Sequence, residues 1–206
     1  MRNNSLVLRA LIGALAVLLV ASAPNLNAAQ RDKGLVGLVR AGDRGDRQME
    51  ALKEEVRHQL LMLPYYTVFD WLQAEVKPDG TVTLMGQVVR PTLKDDAEKN
   101  VKKLEAATKV INDIEVLPLS PRDEQLRIAT YRKIYNFETP LFRYATWASP
   151  PIHIIVRNGH VTLKGIVANQ SDSQLAYTAA RQVPGAFDVK NELQIEQSVD
   201  EKVSRK

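Results

Sequence analysis

One ten-residue pattern occurs twice in this chain, and its two copies lie 79 residues apart. Residues 79–88 read DGTVTLMGQV, and residues 158–167 read NGHVTLKGIV. The same register continues without a gap as far as Val116 in the first copy and Ile195 in the second. An internal repeat this regular predicts two copies of one small domain.

Each copy is typical of a tight turn followed by a half-buried strand. Asp79-Gly80 and Asn158-Gly159 supply the left-handed residues of a hairpin turn. The alternation of Val, Thr and Leu that follows has the period of a strand with one buried face. Gly86 and Gly165 interrupt these strands and predict a bulge or a sharp bend. We interpret all four glycines as structural residues, because they do not precede a helix as a phosphate-binding loop would.

Helical periodicity surrounds the strands in both repeats. The elements predicted for repeat one are a helix at 48–62, strands at 68–76 and 81–89, a helix after Thr92 and a strand at 110–116. Those predicted for repeat two include a helix at 123–135, a helix after Ser171 and a strand at 189–195. Asp95 follows Thr92, and Gln174 follows Ser171, at the three-residue spacing of a capping box.

The order of these elements predicts an α+β protein of two αββαβ units. Each unit has a small three-stranded mixed sheet with two helices on one face, and the third strand runs parallel to the second. Repeat two carries five extra residues between its first helix and its first strand, in a segment rich in aromatic residues.

The N-terminal residues predict export. Arg2 and Arg9 precede an apolar run at 10–21, which is shorter than the roughly 20 residues that a spanning helix needs. We expect a signal peptide at 1–29, with an uncleaved anchor as the alternative. Residues 30–47 lack a sustained period and predict a flexible tether, although 35–39 could pair as an edge strand. Residues 197–206 form a charged tail.

Composition excludes several classes of function. The chain contains no cysteine, so it cannot form disulfides, a thiolate metal site or an N-terminal lipid anchor. The formal charge is +4, and it falls to about +2 when Arg2 and Arg9 are removed. This balance argues against nucleic acid as a partner.

With both units laid out, the chain resembles the BON-domain family. The G-x-V-T-L-x-G strands at 80–86 and 159–165 carry the resemblance, together with the closing V-x-N-x-[IL] strands that contain Asn112 and Asn191. Repeat two also has the family's V-x-G-A element at 183–186, whereas Ala106 replaces that glycine in repeat one. The resemblance covers about residues 48–196, with BON domain 1 at 48–118 and BON domain 2 at 122–196.

This resemblance implies an envelope module. BON proteins are periplasmic or surface proteins; several are linked to osmotic stress and membrane integrity, and some bind phospholipid. They are not known as enzymes. We therefore expect a periplasmic, non-enzymatic binding protein without a cofactor, which supports envelope integrity or the osmotic-stress response.

No catalytic or metal-binding pattern stands out among the polar residues. His58, His153 and His160 lack metal-ligand spacing with another histidine or a carboxylate pair. Asp95, Asp96 and Glu98 cluster at a predicted helix start, where they complement the helix dipole. We predict neither catalytic residues nor a metal site.

The aromatic residues are the distribution most suggestive of function. Ten of the twelve crowd the two helix-to-strand connections, and basic residues are interleaved with the second cluster. Aromatic tips with basic neighbours suit an anionic phospholipid surface. The residues predicted to bind lipid or a partner are Tyr131, Arg132, Tyr135, Phe142, Arg143 and Trp147.

Three alternatives remain open at this point. The rings could fill the contact between the domains and the bottom of each core. An edge strand, or the segment 34–39, could add to the sheet of an envelope protein, which would make the chain an adaptor. An accessible apolar groove would instead suit a chaperone-like module for exported polypeptides.

Overall fold

The computed structural model describes residues 28–147 and 149–196, with side chains from Gly45 onward. The chain divides into two compact units, 1–41 and 42–206, and both repeats lie in the second unit. Most of the expected signal peptide and the charged tail at 197–206 lie outside the described residues. In the described part of the chain, no helix combines the length and the apolar character that a membrane span requires.

The first helix, α1, extends over Ala28–Leu61. Its end agrees with the predicted helix at 48–62, but it begins much earlier. The segment 30–47, expected to be a tether or a short edge strand, has helical backbone instead. The tether was predicted because these residues lack a sustained period. The helix forms despite Gly34 and Gly37, since each internal glycine costs only about 1 kcal/mol relative to alanine.

Domain 1 continues with a three-stranded mixed sheet. Its elements are β1 (Trp71–Val76), β2 (Thr81–Val88), α2 (Pro91–Val101) and β3 (Lys109–Val116). The strand order is β1-β2-β3, with β1 antiparallel to β2 and β3 parallel to β2. The predicted parallel third strand is therefore confirmed.

Domain 2 repeats this arrangement with one addition. Its elements are α3 (Pro121–Ile134), α4 (Phe142–Ala145), β4 (Ile152–Arg157), β5 (His160–Val167), α5 (Gln170–Arg181) and β6 (Asp188–Ile195). The short helix α4 lies in the predicted insertion. The order β4-β5-β6 and the strand directions match those of domain 1, so the α+β class with two αββαβ units is confirmed.

The predicted capping boxes are wrong, because both helices begin before Thr92 and Ser171. Pro91 takes the first position of α2, and Arg90 caps the helix without a side-chain hydrogen bond. Proline suits this position because its missing N–H would be unpaired there anyway. In α5 the cap is Asn169, whose side chain accepts a hydrogen bond of 2.9 Å from the Asp172 amide.

Each domain has its own apolar core between its sheet and its helices. In domain 1 the stripe of α1 packs on the inward residues of β2 and on α2, and domain 2 uses α3, β4, β5 and α5 in the same way. The core-facing residues of β4 are fully buried, namely Ile152, Ile154 and Val156. A domain of this size buries only about 60% of its surface on folding, so contact with a second domain adds useful burial.

The two asparagines of the closing strands tie each third strand to the helix that precedes it, α2 in domain 1 and α5 in domain 2. The Asn112 side chain donates to the Lys94 carbonyl over 3.0 Å and accepts from the Ile114 amide over 3.2 Å. The Asn191 side chain donates to the Ser173 hydroxyl over 2.9 Å. These paired contacts explain why both repeats carry asparagine at this position.

The strand glycines permit close approach between two strands. Gly86 has φ of 128° and Gly165 has φ of 121°. A Cβ atom at Gly86 would lie 1.9 Å from the Trp71 carbonyl oxygen, and one at Gly165 would lie 1.8 Å from that of Pro151. The pairing register runs through both glycines without an offset, so the expected bulge does not form.

The domains meet along the outer edge of β4. The Ile154 amide donates to the Val68 carbonyl over 2.7 Å, and His153 Nδ1 donates to the Asp70 carbonyl over 2.6 Å. The carbonyl can only accept, so the neutral ring carries its proton on Nδ1. The His153 ring packs near Trp71, with 5.1 Å between the ring centres. Arg157 adds an ion pair of 2.6 Å to Glu115.

Stability should fall in acid because His153 is buried in this contact. Burial lowers the pKa of His153 below its ordinary value of 6.5. Above pH 6.5 the ring is neutral in both the folded and the unfolded chain. Below pH 6.5 the ring takes up a proton in the unfolded chain but stays neutral in the folded chain until the pH reaches the lower pKa of the folded state. The free energy of unfolding should therefore decrease as the pH falls below 6.5, by about 1.4 kcal/mol for each unit by which folding lowers the pKa.

Urea unfolding between about pH 5 and pH 8 measures this dependence. His153→Gln keeps an N–H donor for the Asp70 carbonyl but has no proton to gain, and should flatten this part of the profile. An unchanged slope in the variant would show that other groups cause the acid sensitivity.

Candidate functional site

Two of the predicted binding residues pack against other parts of the protein, and one of them is buried. Tyr135 is 6% exposed, and its hydroxyl donates to the Ile152 carbonyl over 2.7 Å. Burial raises the pKa of this hydroxyl, so it remains neutral. The Tyr131 ring is half-buried, with its centre 4.9 Å from that of Tyr135 and 6.1 Å from that of Phe69. Tyr135 therefore cannot reach a membrane directly, and Tyr131 belongs to the contact between the domains.

Three other rings of repeat two are exposed in the connection between α3 and β4. Phe137 is 76% exposed, Phe142 is 43% exposed and Trp147 is 58% exposed. We call residues 136–147 the aromatic connection. Sequence reasoning placed Phe137 in the aromatic cluster but not among the binding residues, although its position just after α3 is the same signal that selected Phe142 and Trp147.

The aromatic connection is anchored on α5 by a buried polar network. The Tyr144 hydroxyl donates to Asp172 Oδ2 over 2.6 Å and accepts from the Ala168 amide over 2.9 Å. Arg143 also forms an ion pair with Asp172, and its guanidinium carbon lies 4.9 Å from the centre of the Tyr144 ring. The Trp147 ring packs edge-on against Tyr144, with 5.8 Å between ring centres. These contacts hold the tryptophan ring while leaving more than half of it exposed.

The last turn of α3 supplies positive charge beside these rings. Arg132 and Lys133 are both exposed there, and neither has a carboxylate partner within residues 28–147 and 149–196. Arg143 is half exposed, but Asp172 compensates its charge. The predicted basic residues thus differ in role, because Arg143 is an anchor and the other two are available to an anionic ligand.

Most aromatic residues of repeat one lie in the contact between the domains, which confirms one of the alternatives for this cluster. Tyr66 and Trp71 pack against His153, with ring centres 5.7 and 5.1 Å apart, and Phe69 packs against Tyr131. Burial raises the pKa of Tyr66 to about 12. Tyr65 differs, because it is 69% exposed and lies under the Arg90 guanidinium.

The histidines and acidic residues singled out in the sequence form no metal site in the described part of the chain, and several of them have structural partners. Across the described ranges, no group of three or more His, Asp or Glu residues could hold a metal ion. His160 pairs with Asp188 at the surface. Hydrogen bonds from Lys102 and, over 2.9 Å, from Asn112 lower the pKa of Glu98.

A family model described as the BON domain matches residues 50–118 and 141–197, which together are more than half of the chain. No curated protein matches the sequence significantly. Among solved structures, the chain is similar to CdsD, a structural protein of the type III secretion system of Chlamydia trachomatis. The identity is 13% and the TM-score is 0.29, over 74% of this chain and 97% of that one.

The C-terminal domain of CdsD is similar at 13% identity and a TM-score of 0.26, over 69% of this chain and 96% of that one. TM-scores this low support no conclusion about shared function. The family match includes residues of both repeats. The chain belongs to the BON-domain family, whose members are generally non-enzymatic and are associated with membranes or phospholipids of the cell envelope.

Proposed function

We propose that this protein is exported to the periplasm and binds anionic phospholipid surfaces through the aromatic connection of domain 2, without catalysing a reaction. Through this binding it supports envelope integrity or the osmotic-stress response. The observation that carries the proposal is the exposure of Phe137, Phe142 and Trp147 within one connection, beside the uncompensated charges of Arg132 and Lys133.

The chemistry of a bilayer surface matches this arrangement. Aromatic rings favour the headgroup region, where their apolar faces leave water. Each basic side chain near an anionic surface contributes about 1 kcal/mol. Moving the exposed rings out of water into the bilayer contributes about 25 cal/mol of binding free energy for each Å² of apolar surface buried. A surface that offers both phosphate groups and an apolar layer satisfies the two kinds of residue together.

The anchoring of the connection also favours binding. Tyr144 and Asp172 hold its backbone from within the domain, so fewer side chains must be ordered when a ligand arrives. The revised binding residues are Phe137, Phe142, Trp147, Arg132 and Lys133, with Arg143 in a positioning role.

Co-sedimentation with vesicles tests the proposal. The chain from Gln30 should sediment with vesicles that contain phosphatidylglycerol and much less with neutral phosphatidylcholine vesicles. Binding should weaken as salt is added, because screening reduces attraction between exposed charges. The double variant Phe142→Ala/Trp147→Ala should lower the partition coefficient at least about tenfold, which equals about 1.4 kcal/mol.

Phe187→Ala is the matched control. Phe187 is 63% exposed and lies under the Arg122 guanidinium, which makes it a ring-and-arginine pair at the other end of α3. Its removal should leave vesicle binding unchanged. Binding that is equal for the double variant and the original chain, or absent on anionic vesicles, would contradict the proposal.

A further inference from the structure

The outer edge of β4 in domain 2 is closed by hydrogen bonds. Three residues from outside the sheet contact its backbone, and they come from the domain contact and from α3. The bonds run from the Tyr135 hydroxyl to the Ile152 carbonyl (2.7 Å), from the Ile154 amide to the Val68 carbonyl (2.7 Å) and from Arg127 Nη2 to the Val156 carbonyl (2.8 Å). This edge has no room for another strand.

The equivalent edge in domain 1 belongs to β1. Strand pairing makes Leu72, Ala74 and Val76 the equivalents of Ile152, Ile154 and Val156, since Leu72 pairs with Gly86 as Ile152 pairs with Gly165. The Lys77 amide donates to the Thr81 carbonyl over 2.9 Å. The backbone groups of Lys77 and of every second residue before it therefore point toward β2. The backbone groups of those three β1 residues therefore point away from β2.

Two of the three contacts that close the β4 edge have no counterpart on β1 in the described part of the chain. Within the described ranges, no strand pairs with its outer side. Lys53 takes the helix position of Arg127, but its ammonium group bonds Glu50 over 3.1 Å instead of a strand carbonyl. Among the described side chains, the Tyr66 hydroxyl is the one that faces these backbone groups, at the Leu72 amide. The Ala74 backbone is open.

An apolar groove accompanies this open edge. A cavity of about 400 Å³ runs between α1 and β1, with Leu60 and Leu72 among its walls and Ile166 of domain 2 at one end. Ala74 also lines the cavity and is exposed, whereas the equivalent Ile154 is fully buried. The small side chain of Ala74 leaves space that isoleucine fills in domain 2.

The other edge strands carry charges that discourage pairing. β3 has Lys109, Asp113 and Glu115, and β6 has Asp188, Lys190 and Glu192. Charged side chains of this kind are a common protection against strand addition. β1 has a single charged residue, Glu75. Among these edges, β1 is therefore the one suited to accept a strand.

We propose that the groove of domain 1 binds an extended segment of another polypeptide, which joins the sheet as a strand beside β1. The Ala74 amide donates to a carbonyl of the partner, as the Ile154 amide donates to Val68 in domain 2. An apolar side chain of the partner fills the space above Ala74. Backbone groups supply affinity in such complexes, and pockets for alternate side chains supply specificity.

The charge of the groove specifies the partner further. Among its described lining residues the charged ones are Lys53 and Arg57, and both are basic. Each forms an ion pair with a glutamate of α1, but these pairs are exposed and such pairs contribute little. The groove thus fits an apolar segment that carries an acidic residue or ends in a free carboxylate.

Selection from a phage-displayed library of random octapeptides tests the proposal, with the chain from Gln30 as the target. Enriched peptides should contain alternating apolar residues with an acidic residue or terminus. Their affinity, measured by fluorescence anisotropy, should fall at least about tenfold for Ala74→Ile, which fills the groove. Ala74→Pro removes the outward donor and should lower the affinity to a similar extent. The strand itself should persist, because proline is tolerated on an edge strand. Ala74→Ser keeps size and donor and should bind normally.

Amide exchange measured by NMR locates the site. The Ala74 amide should exchange freely in the chain alone and slowly with an enriched peptide bound. Failure to enrich any peptide, or equal binding by Ala74→Ile, would overturn the proposal. An Ala74 amide already protected in the free chain, and released when residues 197–206 are deleted, would assign the groove to the chain's own tail, since Gln194 lines it.

Discussion

Gly165→Ala is expected to lower the free energy of unfolding by more than about 3 kcal/mol. The new Cβ would lie 1.8 Å from the Pro151 carbonyl oxygen, which is backbone and cannot move without disturbing β4. The residue also has φ of 121°, a conformation that side chains rarely adopt. Both effects act on the strand pair at the centre of domain 2. Urea unfolding monitored by circular dichroism measures the loss.

Gly185→Ala separates the clash from the backbone strain. Gly185 has φ of 95°, but a Cβ there would meet no atom within 4 Å. Its replacement should cost only about 1–2 kcal/mol, the usual penalty for a left-handed residue. Equal losses for the two variants would show that the Pro151 carbonyl moves aside, and that close approach is not the reason for Gly165.

Asp123→Ala is expected to cost about 3 kcal/mol, because the Asp123 carboxylate closes the β4–β5 turn. Asp123 is 1% exposed and accepts from the Asn158 and Gly159 amides, each over 2.8 Å. Removing it leaves the buried Gly159 amide without a partner while Asn158 stays at φ of 52°. The carboxylate also complements the dipole of α3, whose first turn it occupies.

Asp123→Asn is the control for charge. An amide oxygen can still accept one of the two hydrogen bonds, so this variant should lose about half as much stability. Thermal or urea unfolding of both variants provides the comparison. A free energy of unfolding within about 0.5 kcal/mol of the original for Asp123→Ala would show that the turn closes without this carboxylate.

Domain 1 closes the equivalent β1–β2 turn in a different way. At the place of Asp123, α1 carries Met49, and the turn is closed by its own residue, because Asp79 accepts from the Thr81 amide over 2.9 Å. Such local contacts follow from neighbouring residues, whereas the contact of Asp123 joins residues 35 positions apart. Only the second kind links the opening helix to the hairpin.

The architecture could be predicted from sequence patterns alone. The 79-residue repeat, the Asp-Gly and Asn-Gly turns and the alternating strands predicted two αββαβ units with a parallel third strand. These features depend on local periodicity and turn geometry, which the chain carries within a few residues of each position. The start of α1 escaped prediction because residues 30–47 lack a sustained helical period, and an amphipathic period is the main signal of a helix in a sequence.

Which side chains are exposed to a partner depends on the tertiary packing and could not be predicted from those patterns. Tyr135 and Phe142 look alike as aromatic residues after a helix, yet one is hydrogen-bonded inside the domain and the other is exposed. β1 and β4 likewise have similar strand patterns, but Val68 covers only the second. Burial depends on which distant segments pack against a residue. Local periodicity indicates which face of an element is apolar. Whether another segment covers that face depends on how the whole domains pack.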